Sequence, residues 1–282
     1  MKCDVHMHMI LDGVDWKAAI HRHSQGVDEA FVHEVLAQYR QEGYTYLRDG
    51  GDRWGAGKRA RELARDYGIT YRTPLANLCK RGHYGAFIGK TYENFKEYAE
   101  LVRQTRADGG DFIKIMISGL MDFDRYGALT EEGLLASEIR ELVHIAHEEG
   151  FAVMAHANGA RTVEAAAEAG VDSVEHGAYL DGDALAAMAE GGTVWVPTIS
   201  TVANLKGKGR FEEAAVERIF ESGAANIRAF AAMGGLIGCG SDAGAWAVTH
   251  GCGTEERLLQ EILGAKATEI LQKGNRKIIE KF

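Results

Sequence analysis

A repeated alternation of short β-rich runs with amphipathic stretches constrains the fold of this chain most strongly. Eight such runs occur in 282 residues, the pattern typical of parallel βα units. They cover residues 2–9, 44–49, 69–78, 112–118, 152–157, 173–176, 193–199 and 236–241. Eight repeats of this length predict an α/β fold closed into a single-domain (β/α)8 TIM barrel over residues 1–282.

The stretch between the fourth and fifth runs shows the helical pattern clearly. Residues 134–149 carry apolar side chains on one helical face, and Gly150 is placed to end the helix. The apolar positions are Leu135, Ile139, Leu142, Val143 and Ala146. A doubly wound open sheet is the main alternative, but it favours a phosphate-binding turn after its first strand. The glycine-rich segment 50–58 lacks that spacing, and we interpret it as a loop over the barrel mouth.

Charge and cysteine content narrow the classes of function. The chain has 32 Lys and Arg against 41 Asp and Glu, a net charge of −9 that disfavours nucleic acid and anionic membranes as partners. It shows no secretory signal and no apolar run of membrane-spanning length. The four cysteines are scattered, which favours a reducing compartment. We therefore predict a cytoplasmic protein with a small-molecule substrate, and a homo-oligomer stays open.

Polar residues at the carboxyl ends of the predicted strands indicate a metal site. These ends meet at one face of a parallel barrel. His6 and His8 are two residues apart on the first strand, so both imidazoles face the same side. His156 and His176 end the fifth and sixth strands, and Asp242 follows the eighth. Imidazole nitrogens and a carboxylate are typical ligands of divalent transition metals.

Lys114 is an isolated charge within the apolar fourth strand. Burial without a partner is costly and lowers the pKa of a lysine. A neutral amine can add carbon dioxide to form a carbamate, whose two oxygens can bridge two metals. Lys114 is therefore a candidate ligand. An unmodified lysine beside a single metal is the alternative.

The order of these residues along the barrel resembles the amidohydrolase superfamily. His-x-His, Lys, His, His and Asp occur on strands one, four, five, six and eight. The segments 112–119 (FIKIMISG) and 240–244 (GSDAG) resemble the imidazolonepropionase-like and Xaa-Pro dipeptidase branch, which has a binuclear centre. Members of that branch usually carry a flanking β-sandwich, for which this sequence shows no segments. The phosphotriesterase-like branch, which has no sandwich, is therefore an alternative analogy.

The resemblance implies a complete ligand set and mechanism. His6, His8 and Asp242 are expected to hold one divalent metal, and His156 and His176 the other, with Zn²⁺ the expected ion. N-carboxylated Lys114 is expected to bridge the two metals, and a metal-bound hydroxide is expected to be the nucleophile. Asp242 and His176 are the implied catalytic residues. The implied reaction is hydrolysis of a C–N bond in an amide, a cyclic amide or a dipeptide. Lactone or phosphotriester hydrolysis and a non-catalytic metal- and ligand-binding barrel are the alternatives.

Loops at the predicted catalytic face supply candidate substrate contacts. His83 and Tyr84 follow the third strand, and His250 follows the eighth. These three are the predicted substrate-binding residues. Arg81 is a candidate carboxylate clamp. Weaker candidates in other strand-end loops are Arg48, Arg125 and Tyr126.

Overall fold

The computed structural model describes all 282 residues. Its ten strands are β1 (Lys2–Met7), β2 (Tyr44–Asp49), β3 (Thr70–Arg72), β4 (Asn77–Lys80), β5 (Lys90–Tyr92), β6 (Ile113–Met116), β7 (Val153–Ala157), β8 (Ser173–His176), β9 (Val194–Val196) and β10 (Leu236–Ile237). Its eleven α-helices are α1 (Trp16–Arg22), α2 (Glu29–Gln41), α3 (Ala56–Leu63), α4 (Phe95–Ala107), α5 (Ala136–Glu148), α6 (Ala160–Glu168), α7 (Gly182–Gly191), α8 (Ser200–Ala203), α9 (Glu213–Ala232), α10 (Thr254–Leu263) and α11 (Ala267–Lys281).

The strands form a parallel barrel made of two ladders. One ladder has the order β1-β2-β3 and the other β10-β9-β8-β7-β6-β4-β5. The chain that follows β10 continues beside β1, where Val5 N donates to Cys239 O at 3.0 Å and Asp242 N donates to His6 O at 2.7 Å. His8 N also donates to an oxygen of this segment, that of Ala243, at 2.7 Å. These bonds join the two ladders at β1 and confirm the predicted barrel.

The third predicted strand is divided in two at Pro74. Its first part, β3, pairs with β2, and its second part, β4, pairs with β6. Proline has no N–H to donate, and Leu75 has a positive φ of 66°, so regular pairing stops between the two parts. Pro197 likewise lies just after β9. The short strand β5, which pairs with β4, is absent from the sequence-based prediction.

Helix α5 shows how the amphipathic stretches cover the barrel. Its side chains Ile139, Leu142 and Val143 are at most 1% exposed. Burial of each contributes about 1.5–3 kcal/mol. Leu135 departs from the predicted face, because it is the N-cap residue and is 69% exposed. The helix therefore begins at Ala136, one residue after the first apolar residue of the pattern.

An apolar cluster fills the interior of the barrel at its amino-terminal end. It includes Val5, Tyr46, Phe112 and Met154 from the strands, together with Phe282 from the end of the chain. This cluster forms a floor beneath the strand ends that carry the histidines.

No helix of the structure combines the length and the apolar character needed to cross a membrane. The four cysteines form no disulfide. Cys3, Cys79 and Cys239 are buried, and Cys252 is exposed.

Candidate metal centre

Three predicted ligands meet where β1 ends beside the segment that follows β10. His6 Nε2 and His8 Nε2 lie 3.3 Å apart. Asp242 Oδ1 lies 3.4 Å from the first nitrogen and 3.3 Å from the second. Donor atoms about 2.1 Å from one ion, at tetrahedral angles, would be about 3.4 Å apart. The three donor atoms therefore have the spacing that a single divalent ion requires.

Two glycines make room for these histidines. A Cβ at Gly50 would collide with the imidazole ring of His8, and a Cβ at Gly240 would lie 2.7 Å from Cβ of His6. Gly50 directly follows β2, so β2 can approach the end of β1 only without a side chain at this position. The glycine-rich segment after β2 thus provides space at the site, a role beyond the loop predicted from the sequence.

Backbone conformation directs two of the candidate ligands. His176 and Asp242 have positive φ angles of 71° and 57°. Such conformations cost about 1–3 kcal/mol in non-glycine residues and persist where the surrounding structure fixes them. Asp242 is fixed by its bond to His6 O. In His176, the carbonyl accepts a 3.0 Å bond from Trp195 Nε1.

His156 and His176 form a second pair across β7 and β8. Their ring centroids are 4.6 Å apart, and the His176 ring lies 5.2 Å from that of His6. Each imidazole uses one nitrogen within the protein. His156 Nε2 lies 3.1 Å from Gly119 O, and His176 Nδ1 lies 2.8 Å from Thr198 Oγ1. The other nitrogen of each ring can serve as a ligand atom.

Lys114 lies on β6, and its side chain is buried in the barrel interior. It is 1% exposed, and its Nζ has no hydrogen-bond partner. Burial and the charge of Lys114 both lower the pKa of His6, His156 and His176, so the amine interacts electrostatically with both pairs. Burial, opposed by Glu175, lowers the pKa of Lys114 to about 8. A buried amine without a partner, readily neutral near pH 8, fits the chemistry of carbamate formation.

The pKa shifts of the candidate ligands favour the protonation states that can bind a metal. Burial and the charge of Lys114 lower the pKa of His6 to about 4 and that of His156 to about 3. Both imidazoles are therefore neutral at pH 7 and keep a lone pair for a ligand bond. Burial would raise the pKa of Asp242, but His6 and His8 lower it overall, so its carboxylate is ionised.

A buried ion pair that the sequence analysis does not predict lies beneath His6. Glu175 Oε2 lies 2.8 Å from His6 Nδ1, and Glu175 Oε1 accepts a 2.9 Å bond from Arg48 Nη2. Arg48 therefore points into the barrel from β2 and is fully buried, so the prediction of a strand-end loop contact was wrong for this residue. Burial would raise the pKa of Glu175, but Arg48 and His6 lower it to about 2. The signal in the sequence was a charged residue within each of two apolar strands.

The loop after β4 brings one predicted substrate contact against the site. The Tyr84 ring lies 4.9 Å from that of His156. Burial and nearby Asp242 raise the pKa of Tyr84 well above its usual value, so its hydroxyl remains a donor. His83 is farther out, and its Nδ1 lies 3.3 Å from Glu131 Oε1. The same oxygen accepts a 2.9 Å bond from Tyr84 N and fixes the loop.

The other predicted contacts are held by partners outside the cluster of candidate ligands. His250 is 5% exposed, and its Nε2 donates to Leu11 O at 2.9 Å while its ring packs on Tyr39. It thus stabilises the loop after β1, and its position does not support the predicted substrate contact. Arg81 and Arg125 are exposed and paired with neighbouring carboxylates. Tyr126 packs against Tyr179 at the edge of the mouth.

Comparison with known proteins places this arrangement in a family. The model of the amidohydrolase family matches residues 56–277. An uncharacterized protein of Mycobacterium tuberculosis (strain ATCC 25618 / H37Rv) is 30% identical over 139 residues, which cover 47% of this chain and 37% of that protein. The match thus spans little more than a third of this curated relative.

Solved structures share the fold over nearly the whole chain. A Xaa-Pro dipeptidase with methionine bound in its active site has a TM-score of 0.77 at 21% identity, covering 99% of this chain and 75% of that one. The A. niger ochratoxinase also has a TM-score of 0.77, at 20% identity, with 98% and 70% covered. The family model covers well over half of the chain, and the chain therefore belongs to the amidohydrolase family.

Proposed function

We propose that this protein is a metal-dependent hydrolase of C–N bonds in amides, cyclic amides or dipeptides. The observation that carries the proposal is the mutual spacing of 3.3–3.4 Å among the donor atoms of His6, His8 and Asp242. Membership of the amidohydrolase family supports it, as does the fold shared with a Xaa-Pro dipeptidase.

The residues divide into two metal positions. His6, His8 and Asp242 would hold one ion, and His156 and His176 the other. N-carboxylated Lys114 would bridge the two, since its amine interacts electrostatically with both histidine pairs. Imidazole and carboxylate donors suit Zn²⁺. Bound ions would polarise the substrate carbonyl and lower the pKa of water to about 7.

Asp242 is the candidate for proton transfer. Its carboxylate is ionised and can accept a proton from the attacking water. The water oxygen forms a bond to the carbonyl carbon, and the C–N bond then breaks. The proton held by Asp242 passes to the leaving nitrogen, so the products are a carboxylic acid and an amine. His176, whose ring is oriented by Thr198, would hold the second ion in place during the reaction.

Tyr84 and His83 are the proposed substrate contacts. The Tyr84 hydroxyl is protonated near neutral pH and can donate to the substrate carbonyl oxygen. The side chain of His83 is 35% exposed, and it would contact the part of the substrate that extends beyond the metal centre.

Metal analysis and a substrate screen test the proposal. The protein would be stripped with a chelator, reloaded with Zn²⁺ and assayed against Xaa-Pro dipeptides, N-acyl amino acids, lactones and phosphotriesters. We expect bound zinc and hydrolysis of at least one amide class, with native mass spectrometry reporting a carbamate on Lys114. Hydrolysis of lactones or phosphotriesters alone would overturn the C–N assignment. Zinc binding without turnover of any class would favour a binding protein.

A further inference from the structure

The ion pair beneath the candidate metal centre continues to the floor of the barrel. Arg48 is fully buried, and three of its nitrogens are bound. Its Nε donates to Val5 O at 2.6 Å, Nη1 to Ser173 Oγ at 3.0 Å and Nη2 to Glu175 Oε1 at 2.9 Å. Ser173 Oγ also donates to Glu175 Oε1 at 2.6 Å. The position of the Glu175 carboxylate thus depends directly on the position of the guanidinium.

An aromatic ring supports the guanidinium from below. The centroid of the Phe282 ring lies 4.4 Å from Cζ of Arg48, a cation-π distance. Phe282 is 7% exposed and makes an edge contact with Phe112 at 5.2 Å. Arg48 is therefore held between polar acceptors on one side and the Phe282 ring on the other.

This arrangement connects the floor of the barrel to His6. Glu175 Oε2 lies 2.8 Å from His6 Nδ1, and a carboxylate at this nitrogen keeps the opposite nitrogen, Nε2, free to bind a metal. His6 Nε2 is the atom that faces His8 and Asp242. A buried charge pair is not required for packing, since apolar side chains of similar volume commonly stabilise as well or better. The pair is better explained by its effect on His6.

We propose that Phe282 and Arg48 are positioning residues that act on His6 through Glu175, so that the floor of the barrel sets the metal affinity of the His6, His8 and Asp242 site. The inference rests on the proposed function in so far as this site binds a metal. Removing the Phe282 ring lets the guanidinium move or gain water, and Glu175 then loses its fixed orientation. The affinity for the ion falls although no ligand has changed.

Zinc affinity, measured by competition with a chromophoric chelator, tests the inference. We expect Glu175→Gln to weaken Zn²⁺ binding about 10- to 100-fold and Phe282→Leu, one contact further away, about 3- to 10-fold. Phe282→Tyr keeps a ring over Arg48 and should restore affinity to within about 2-fold of the wild type. This rescue separates positioning from simple loss of packing.

Phe151→Leu is the matched control. Phe151 is also buried, with Cζ of Arg106 5.5 Å from its ring centroid, but it packs in a separate apolar cluster with Ile139 and Leu142 of α5. The Phe151→Leu variant should lower the Tm of the metal-free protein much as Phe282→Leu does, but its zinc affinity should be unchanged. Wild-type affinity in Phe282→Leu, or equal losses in both leucine variants, would overturn the inference alone. A wild-type protein that binds no Zn²⁺ would refute the proposed function as well.

Discussion

Replacement of Lys114 by methionine should stabilise the metal-free protein while weakening its function. The amine is buried in the barrel with no hydrogen-bond partner. Methionine has a similar length and no charge, so it fills the same space without the cost of desolvating an ammonium group. Lys114 would thus destabilise the fold while serving the site, which is a trade-off between stability and activity.

The size of the effect follows from the pKa of Lys114. Burial lowers this pKa from the ordinary 10.5 to about 8. At about 1.36 kcal/mol per pH unit, folding at pH 7 is then less favourable by about 3 kcal/mol. The unfolded chain holds the proton up to pH 10.5, whereas the folded chain releases it near pH 8. The cost is therefore full below pH 8 and fades as the pH rises to 10.5.

Calorimetry of the metal-free protein in carbon dioxide-free buffer with a chelator measures this difference. For a chain of 282 residues, about 3 kcal/mol corresponds to a Tm increase of about 5 °C at pH 7. The increase should shrink markedly at pH 10. Lys273→Met is the control, because Lys273 is 65% exposed on α11 and its replacement should change stability by less than about 0.5 kcal/mol.

Zinc should reverse the order of stability. A ligand that binds only the folded state stabilises the protein, and the stabilisation grows with the logarithm of the ligand concentration divided by Kd. The wild type should therefore gain more from saturating Zn²⁺ than Lys114→Met. If the metal-free variant proved less stable than the wild type at pH 7, the amine must have a partner in the folded protein, and the reasoning would be refuted.

Three further predictions concern single positions. Asp242→Asn should keep part of the bound zinc but lower turnover by about 10³-fold or more, since it removes the proton acceptor; unchanged kcat contradicts the mechanism. Gly50→Ala should displace His8 and weaken zinc binding about 10-fold or more, as measured by calorimetric titration. In the control Gly182→Ala, the added methyl group has no atom within 4 Å, and zinc binding should be unchanged. Burial raises the pKa of Glu255 from 4.5 to about 8. As the pH rises from 4.5 to 8, the wild type should therefore lose up to about 5 kcal/mol of unfolding free energy relative to Glu255→Gln. Parallel pH profiles of the two proteins in denaturant titrations would disprove this.

The predicted barrel and the meeting of His6, His8 and Asp242 follow from rules that act locally or apply to any parallel barrel. Alternation along β1 places both histidines on one side, and the hydrogen bond from Asp242 N to His6 O brings the last strand's end beside them. The order of polar residues along the chain was therefore sufficient to predict that these three side chains converge. The exact strand ends were not predicted, because β10 is only two residues long (Leu236–Ile237) whereas the predicted strand covered residues 236–241.

The residues that support the site could not be assigned from the sequence. Glu175 and Arg48 were visible as charges within apolar runs, but their contact crosses the barrel and depends on its closure. His250 resembled a mouth residue because it follows the last strand, yet its loop folds back so that the ring bonds to Leu11 O. Loop direction is set by tertiary packing, which short-range patterns do not encode.

The distribution of charge inside the barrel favours an N-carboxylated Lys114 over an unmodified lysine. At the floor, Arg48 and Glu175 neutralise each other. At the level of the histidines, Asp242 supplies a single negative charge, and an ammonium on Lys114 would cancel it beside any cation. Conversion of the amine to a carbamate replaces that positive charge with a negative one. Two divalent ions would then face two anionic groups, which is a far better match than an ionised lysine offers.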